Sequence, residues 1–277
     1  MTNHPQSPGE QARRDDPRPT EELICLALDH KADDYDDVGW NAVVTLHYRA
    51  TREVLETAKK LLMSQIPKER ALGADVLGQL GVPDRAFPEE SVTALLENLK
   101  DERDPDVLNS VGVALGHHND SRAIEPLCEL KNHPDDRARF GVVIGLLTCE
   151  DDLAIKTMME LSRDQDRDVR NWATFGLGSQ INTDRPEIRQ ALLERLNEEE
   201  DSEVRGEALV GLARRKDQRA LEPLIKELSS DLVGSLAVEA AIEFATPQLE
   251  GTLLELAKRW KSDQELLRQA IQACSPK

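Results

Sequence analysis

A pair of adjacent histidines and a run of carboxylates have the clearest capacity for chemistry in this sequence, because both residue types bind metal ions. On a helix, His117 and His118 would point about 100° apart, and no H-E-x-x-H pattern follows them. The acidic run D-D-Y-D-D at residues 33–37 lacks the glycine and the distal glutamate of a calcium-binding EF-hand loop. We therefore expect no metal and no cofactor, and we interpret the acidic run as a solvated turn.

Motifs for catalysis are also missing from the sequence. The patterns G-x-x-x-x-G-K, G-x-G-x-x-G and G-x-S-x-G do not occur, so phosphate-binding loops and serine nucleophile elbows have no support. The four cysteines show no C-x-x-C spacing, and Cys128 and Cys149 lie on helical apolar patterns where we expect buried thiols. The sequence favours a protein without catalytic activity, although it does not exclude an enzyme.

The composition limits the classes of partner. The 277 residues include 53 Asp and Glu against 35 Lys and Arg, which gives a formal net charge of −18. Binding to nucleic acid or to an anionic membrane requires clustered cations, so we expect neither as a partner and favour another protein, with a basic one as an option. No apolar run has the length of a membrane span, and residues 1–19 hold four prolines and no apolar stretch. We therefore expect a cytoplasmic protein with a disordered tail at 1–19.

The elements that must position these residues are indicated by an internal repeat with a period of about 33 residues. The clearest copies are DVLNSVGVALG, RARFGVVIGLL, DVRNWATFGLG and EVRGEALVGLA. We number each copy from an anchor residue, and the anchors are Val38, Glu69, Val107, Ala138, Val169, Val204, Val233 and Leu266. Position +4 holds small or β-branched residues, and position +8 holds Leu in the first six copies. This pattern predicts a helix at each anchor, with one buried stripe.

A second helix is expected between successive anchors, as in RAIEPLCEL from Arg122 and RALEPLIKEL from Arg219. Pro126 and Pro223 fit a first helical turn, where a missing N–H removes no hydrogen bond. An Asp that can cap the anchor helix stands three residues before five anchors: Asp104, Asp135, Asp166, Asp201 and Asp263. Ion pairs between repeats are expected for three arginines that directly follow anchors: Arg139, Arg170 and Arg205. We predict an all-α solenoid of about seven to eight helical hairpins, with residues 20–277 as a single domain.

The strings HNDSRAIEPLCEL and KDQRALEPLIKEL, each near a unit such as DRDVRNWA or DSEVRGEA, resemble the HEAT-like repeats named after phycobilisome lyases. The resemblance covers roughly residues 35–275 and is strongest from 104 to 228. It implies a right-handed superhelix of helical hairpins with one curved binding surface, formed chiefly by the anchor helices. It implies little about activity, because this repeat serves many binding proteins and a few enzymes.

A stripe on the anchor helices, separate from the buried stripe, carries the candidate binding residues. Positions +2, +3, +6 and +10 fall between about 200° and 300° around the helix and hold five of the nine aromatic residues. The predicted partner-binding residues are Trp40, Val44, Tyr48, Asn109, Val113, Phe140, Ile144, Asn171, Trp172, Phe175 and Val210. Asp75 precedes and Glu239 follows the central apolar row at position +6.

Two interpretations of this stripe are open at this point. The row at position +6 is either an exposed interaction ridge or the core between repeats. Trp172 lies close to the edge of the buried stripe, which favours burial. Exposure is favoured for Trp40, Tyr48 and Phe140, which lie farther from that edge.

The resulting hypothesis is a non-catalytic interaction module or scaffold that binds a partner on the concave face of a HEAT-like solenoid. An apolar centre with an acidic rim would suit a basic partner and would speed association at low salt. The alternative is a bilin lyase-like enzyme or chromophore chaperone, in which the aromatic residues would hold a tetrapyrrole. The sequence leaves the identity of the partner and the oligomeric state open.

Overall fold

The computed structural model describes residues 8–29 and 38–276. Within these residues every regular element is helical and no β-strand is present, so the all-α prediction is confirmed. Residues 1–7 and the acidic run at 33–37 lie outside the described part. The chain divides into two compact units, of which unit 1 ends at Leu146 and unit 2 begins at Leu147.

Unit 1 consists of four helical hairpins preceded by a short helix. Its helices are α1 (Pro8–Arg14), α2 (Thr20–Leu28), α3 (Val38–Arg49), α4 (Arg52–Leu62), α5 (Pro67–Gln79), α6 (Pro88–Asp101), α7 (Pro105–His118), α8 (Ile124–Glu129) and α9 (Asp136–Leu146). From α2 onwards, each even-numbered helix contacts the next odd-numbered one. The odd-numbered helices α3, α5, α7 and α9 also contact one another in order, and they are the predicted anchor helices.

Unit 2 repeats this arrangement with four further hairpins. Its helices are α10 (Asp152–Leu161), α11 (Arg167–Phe175), α12 (Pro186–Glu198), α13 (Ser202–Arg214), α14 (Leu221–Ser229), α15 (Ser235–Phe244), α16 (Glu250–Ala257) and α17 (Gln264–Cys274). A π-helical turn, Gly176–Gln180, extends α11. The anchor helices α11, α13, α15 and α17 again contact one another in order. The described residues thus contain eight hairpins, which confirms the α-solenoid fold class and the predicted number of repeats.

The predicted disordered tail at 1–19 contains a helix in its described part, α1. This helix contacts α3, and Nη2 of Arg13 donates to Oδ1 of Asn41 at 3.1 Å. Nη2 of Arg49 donates to the backbone carbonyl of Asp16 at 2.8 Å, so the segment before α2 is tied to the first hairpin. The right-handed superhelix and the single domain at 20–277 stay predictions. Solenoid repeats contact only their neighbours, so the division into two units tests neither prediction.

The buried stripe of the anchor helices follows the predicted pattern. All residues at position +8 are buried: Leu46, Leu77, Leu115, Leu146, Leu177, Leu212, Ala241 and Cys274. All residues at position +4 are buried as well: Ala42, Gly73, Val111, Val142, Ala173, Ala208, Ala237 and Ala270. The anchor residue itself is buried only in the four central copies, and Val38 is 56% exposed. The outer copies therefore depart from the pattern at the anchor and keep it at positions +4 and +8.

The predicted aspartate caps are present at the anchor helices. Asp104 accepts hydrogen bonds from the backbone N–H groups of Asp106 and Val107, at 3.0 and 3.3 Å. The N–H group two positions on is bound in the same way by Asp135, Asp166, Asp201 and Asp263. Each of these bonds satisfies an amide that has no partner within the helix. Pro126 and Pro223 lie in the first turns of α8 and α14, as predicted.

Two of the arginines that follow the anchors, Arg170 and Arg205, join neighbouring repeats within unit 2. Nε and Nη2 of Arg170 donate to the Glu199 carboxylate at 2.8 and 3.2 Å, and Arg205 pairs with Glu227 at 3.4 Å. The hydrogen bond from Arg170 holds the pKa of Glu199 below its ordinary value, so this largely buried pair stays ionised. All three arginines, Arg139 included, also donate to backbone carbonyls just before their own anchor helix.

Candidate binding site

The predicted binding residues occupy positions +2, +3, +6 and +10 of the anchor helices, and we call this side the anchor face of each unit. In unit 1, position +6 is occupied by Val44, Asp75, Val113 and Ile144, which are all half-buried. This row is therefore neither a fully exposed ridge nor a closed core. The predicted residues Phe175 and Val210 belong to unit 2, so the two faces are described separately.

Glycines set the spacing of α7 and α9, which carry Val113 and Ile144. A Cβ atom at Gly112 would lie 2.4 Å from the carbonyl oxygen of Gly141, and one at Gly116 would lie 2.7 Å from the carbonyl oxygen of Ile144. Both neighbours are backbone atoms that cannot move aside, so only glycine permits this approach of the two helices. The close approach accounts for the partial burial of Val113 and Ile144.

The anchor face of unit 1 also carries aromatic side chains on its first and last anchor helices. Trp40 on α3 is 53% exposed, and Tyr48 on the same helix is half-buried. Phe140 on α9 and Asn109 on α7 are half-buried as well. Accessible aromatic rings beside aliphatic side chains are typical of the residues that dominate protein interfaces.

A carboxylate, Asp75, interrupts this apolar surface. The Ser110 hydroxyl donates a hydrogen bond to it, yet burial raises the pKa of Asp75 to about 6. The backbone carbonyl of Asp75 accepts a hydrogen bond from Nε2 of His47 at 3.0 Å. Burial lowers the pKa of His47 to about 4, so this ring is neutral and supplies no charge to the carboxylate. Asp75 is therefore an incompletely solvated acceptor within an apolar face.

The anchor face of unit 2 carries an aromatic pair formed by Trp172 and Phe175. Their ring centroids lie 5.6 Å apart with the planes at 84°, which is an edge-to-face contact. Trp172 is 39% exposed, so the expectation of burial at this position is wrong. The contact with Phe175, three residues on in the same helix, holds the indole on the outer side of α11.

Two predicted binding residues of unit 2 lie in its interior. Val210 is 7% exposed and Asn171 is 8% exposed. Val210 is covered because α13 contacts both α11 and α15. Nδ2 of Asn171 donates to Oε1 of Glu203 at 3.3 Å, which places the amide between α11 and α13. These two side chains are therefore not part of the accessible face.

The π-helical turn after Phe175 is held by an arginine at the end of α13. Nη2 of Arg215 donates to the carbonyl oxygens of Leu177 and Ile181 at 2.8 and 2.9 Å, and Nη1 donates to that of Gly178 at 3.0 Å. The Arg215 side chain is only 6% exposed. Several buried carbonyls depend on this one guanidinium, which fixes the turn at the end of the anchor face.

The sequence singled out Glu239 on α15, but two carboxylates on α13, Glu203 and Glu207, were missed by sequence reasoning. Glu207 and Glu239 are half-buried, and Glu203 is exposed. Burial, and then the charges of Glu239 and Glu203, raise the pKa of Glu207 to about 7. Position +3, which Trp172 occupies in α11, is Glu207 in α13, and this was the signal available in the sequence.

The adjacent histidines, which were the first candidates for chemistry, lie against neighbouring protein atoms. Nε2 of His118 lies 3.0 Å from the carbonyl oxygen of Leu77, and burial lowers the pKa of both His117 and His118. In the described part of the chain, no group of three or more His, Cys, Asp or Glu side chains could hold a metal ion. Cys128 is buried as expected, whereas Cys149 is half-buried. None of the described helices is long and apolar enough to cross a membrane.

Comparison with known families connects this architecture to a named repeat. HEAT repeats match residues 92–178 and 155–234, which together cover more than half of the chain. The chain belongs to the HEAT-repeat family. The matched region contains the copies in which the sequence repeat is clearest, between the anchors Val107 and Val204.

Relatives of known sequence and structure agree with this assignment. Protein YibA of Escherichia coli K12, and the same protein of strain O157:H7, are each 34% identical to the chain over 134 residues. That match covers 48% of this chain and 46% of YibA, so it spans about half the length of these curated relatives. An X-ray structure of YibA from Escherichia coli aligns with a TM-score of 0.74 at 21% identity, over 99% of this chain and 98% of that one. At this identity the structural likeness shows the fold alone.

Proposed function

We propose that the chain is a non-catalytic interaction module that binds another polypeptide on the anchor faces of its units. The observation that carries this proposal is the combination of accessible aromatic rings, Trp40 in unit 1 and Trp172 in unit 2, with half-buried aliphatic side chains around them. Interfaces are dominated by a few such aromatic residues set among apolar contacts. HEAT repeats supply the stacked helices that display these residues at regular intervals.

A basic partner is favoured by the charges of both faces. Asp75 in unit 1 and Glu207 in unit 2 are acceptors with incomplete solvation, and the whole chain has a net charge of −18. A cationic partner would neutralise these groups, and its association would slow as added salt screens the attraction. We also place the module in the cytoplasm, since its four cysteines are unpaired.

We also propose that the repeats are of the phycobilisome lyase type, a subtype of the family. Strings such as DRDVRNWA carry this resemblance. The bilin alternative has less support from the two faces. Bilin propionates require cationic partners, whereas both anchor faces present carboxylates. A polypeptide with exposed lysines or arginines is the better chemical match.

Capture experiments with matched variants test this proposal. The immobilised full chain is incubated with a lysate of its own cells, and the retained proteins are identified. Trp40→Ser and Trp172→Ser each remove an accessible ring from an anchor face, whereas Met63→Ser and Leu254→Ser remove exposed apolar side chains elsewhere. We expect a protein that is retained by the wild type and by both controls but lost with at least one tryptophan variant.

Circular dichroism melts of all four variants establish beforehand that they remain folded. We expect Met63→Ser and Leu254→Ser to change the free energy of unfolding by no more than about 0.5 kcal/mol. The tryptophan variants should lose about 1–2 kcal/mol, because each ring is partly buried and Trp172 contacts Phe175. The proposal is wrong if folded tryptophan variants and controls retain the same proteins.

A further inference from the structure

A groove in unit 2 is lined by both carboxylates and apolar side chains. Its volume is about 930 Å³, and it lies between the first turns of α13 and α15, with the end of α14 and the following connection on its third side. The groove is open to solvent and is larger than a single metal ion or water molecule requires. Its dimensions suit a side chain together with a short stretch of polypeptide.

The charged side chains of the groove are mostly acidic. Its four carboxylates face one guanidinium, that of Arg205, and they belong to Glu203, Glu207, Glu227 and Asp231. Arg205 pairs with Glu227 at 3.4 Å, and Arg167 pairs with Glu203 from outside the groove. Among the described residues, Glu207 has no cationic partner. A cation that enters the groove would therefore meet a carboxylate that the protein itself leaves without a counter-charge.

Burial, followed by the repulsion from Glu239 and Glu203, accounts for the raised pKa of Glu207, which is about 7. When the groove is empty, an acid in this position is neutral far more often at pH 7 than an ordinary glutamate is. A bound cation favours the ionised form, because it offsets both the lost hydration and the repulsion.

The remaining wall of the groove is apolar. Leu236 and Val233 line it, and Leu232 at its rim is 89% exposed, the highest value of any large apolar side chain in the described part of the chain. Lysine and arginine have long aliphatic stems that pack against such surfaces while their charged ends reach polar groups. A leucine placed beside carboxylates thus matches a cationic side chain within a polypeptide better than it matches a hydrated inorganic ion.

We propose that this groove binds a lysine or arginine side chain of a partner polypeptide, with the cationic end at Glu207 and Glu203 and the stem against Leu232 and Leu236. This inference rests on the proposed function, since it names the chemistry that one unit recognises in its partner. An acidic ligand would suit this groove less well than a basic one. The first turn of α15 has no side-chain cap and would attract an anion, but four carboxylates in the same groove oppose it.

Binding of synthetic peptides to the full chain tests this inference. The probe is a short fluorescein-labelled peptide in which lysine and leucine alternate with serine, and the readout is fluorescence anisotropy at low salt. We expect Glu207→Gln to weaken binding about tenfold, because it removes one charge-assisted contact. Glu222→Gln removes the same charge from an exposed position of α14 outside the groove, and we expect it to change the affinity by less than about twofold.

Two further arms separate a specific groove from general attraction to an acidic protein. Leu232→Ser should weaken binding of the peptide that contains lysine and leucine, and a peptide with serine in place of leucine should bind the wild type less well. At constant ionic strength, magnesium ions should compete poorly for the groove, because a hydrated inorganic ion has no aliphatic stem to contact Leu232. Equal loss with Glu207→Gln and Glu222→Gln, or effective competition by magnesium ions, would overturn the inference.

The pH dependence gives an independent readout. Glu207 faces Glu203 on its own helix, Glu239 on α15, and Arg205, Glu227 and Asp231 around the groove. Because Glu207 must be ionised to hold a cation, the wild type should bind the peptide more tightly as the pH rises from about 6 to 8, and Glu207→Gln should lose this rise. Failure of the peptide experiments leaves the proposed function to be judged by Trp40→Ser and Trp172→Ser, which lie outside the groove.

Discussion

The two units interrupt their apolar anchor faces with acidic residues in different ways. In unit 1, a single carboxylate, Asp75, lies in the +6 row between Val44 and Val113, and burial accounts for its raised pKa. In unit 2, Glu207 is raised by burial together with two neighbouring carboxylates, Glu203 and Glu239. The same repeat therefore presents an isolated acceptor in one unit and a concentrated negative charge in the other.

This difference is confined to positions outside the buried stripe of the anchor helices. Positions +4 and +8 are buried in both units and hold the same kinds of residue, whereas positions +3 and +6 change from one helix to the next. Leu46 in α3 and Leu177 in the π-helical turn that extends α11, both at position +8, are equally buried although the outer sides of these helices differ. The helical stack is specified by the inner positions, and under the proposed function the outer positions would determine recognition.

The largest effect that would sharpen this comparison is expected for Gly112→Ala in unit 1. The new methyl group would meet backbone atoms of Gly141, so α7 and α9 must separate, and we expect a loss of about 2–3 kcal/mol in the free energy of unfolding. Gly251→Ala in unit 2 is the matched control, because nothing lies within 4 Å of its Cβ position. That variant should gain up to about 0.5 kcal/mol from helix propensity.

Urea denaturation followed by circular dichroism measures both changes. An unaffected Gly112→Ala variant would contradict the close approach of α7 and α9. It would also remove the reason given for the half-burial of Val113 and Ile144.

The sequence was sufficient to predict the helices, their caps and their buried stripe, because these features repeat at fixed positions. Asp104 and its equivalents stand at the helix starts, and Leu46 and its equivalents fill the core. Exposure on the anchor face was harder to predict, since a residue at +6 is covered only if the next helix comes close enough. That distance depends on contacts such as the one between Gly112 and Gly141, which link helices far apart in sequence.

The errors in the candidate site follow from the same cause. Val210 and Asn171 were assigned to the face, but both are buried, because α13 contacts the helices on either side of it. Glu207 was missed because its raised pKa depends first on burial by the stacked helices and then on Glu239, which lies on the next anchor helix. Position within one helix does not reveal which charges the stacked helices bring together.

Asp75→Asn and Glu207→Gln compare the two acidic groups by their effects on the free energy of unfolding. A buried acid with a raised pKa resists ionisation in the folded protein, so its contribution to stability is lost as the pH rises from its unfolded pKa to its folded one. The pH range over which this contribution is lost runs from 3.8 to about 6 for Asp75 and from 4.5 to about 7 for Glu207. Asp75→Asn and Glu207→Gln should therefore each stabilise the protein by about 1–2 kcal/mol near pH 8, a value reduced for partial exposure.

The stabilisation should disappear near pH 4, where the wild-type groups are protonated. Thermal melts at several pH values measure it, with Glu222→Gln as a control for the removal of one exposed carboxylate. A variant that is less stable than the wild type at about pH 8 would mean that the carboxylate has a favourable partner in the folded chain.

The smallest expected effect separates the causes of the two pKa values. Salt screens repulsion between carboxylates but leaves desolvation nearly unchanged, so added salt should lower the pKa of Glu207 by about 0.3 more than that of Asp75. Titrations of the side-chain carboxyl carbons by NMR, at low and high salt, measure both values in the same sample. Glu239→Gln should lower the pKa of Glu207 and reduce its response to salt, and should leave Asp75 unaffected. Equal responses in the wild type would show that burial alone governs both groups, and unit 2 would then resemble unit 1 in its electrostatics.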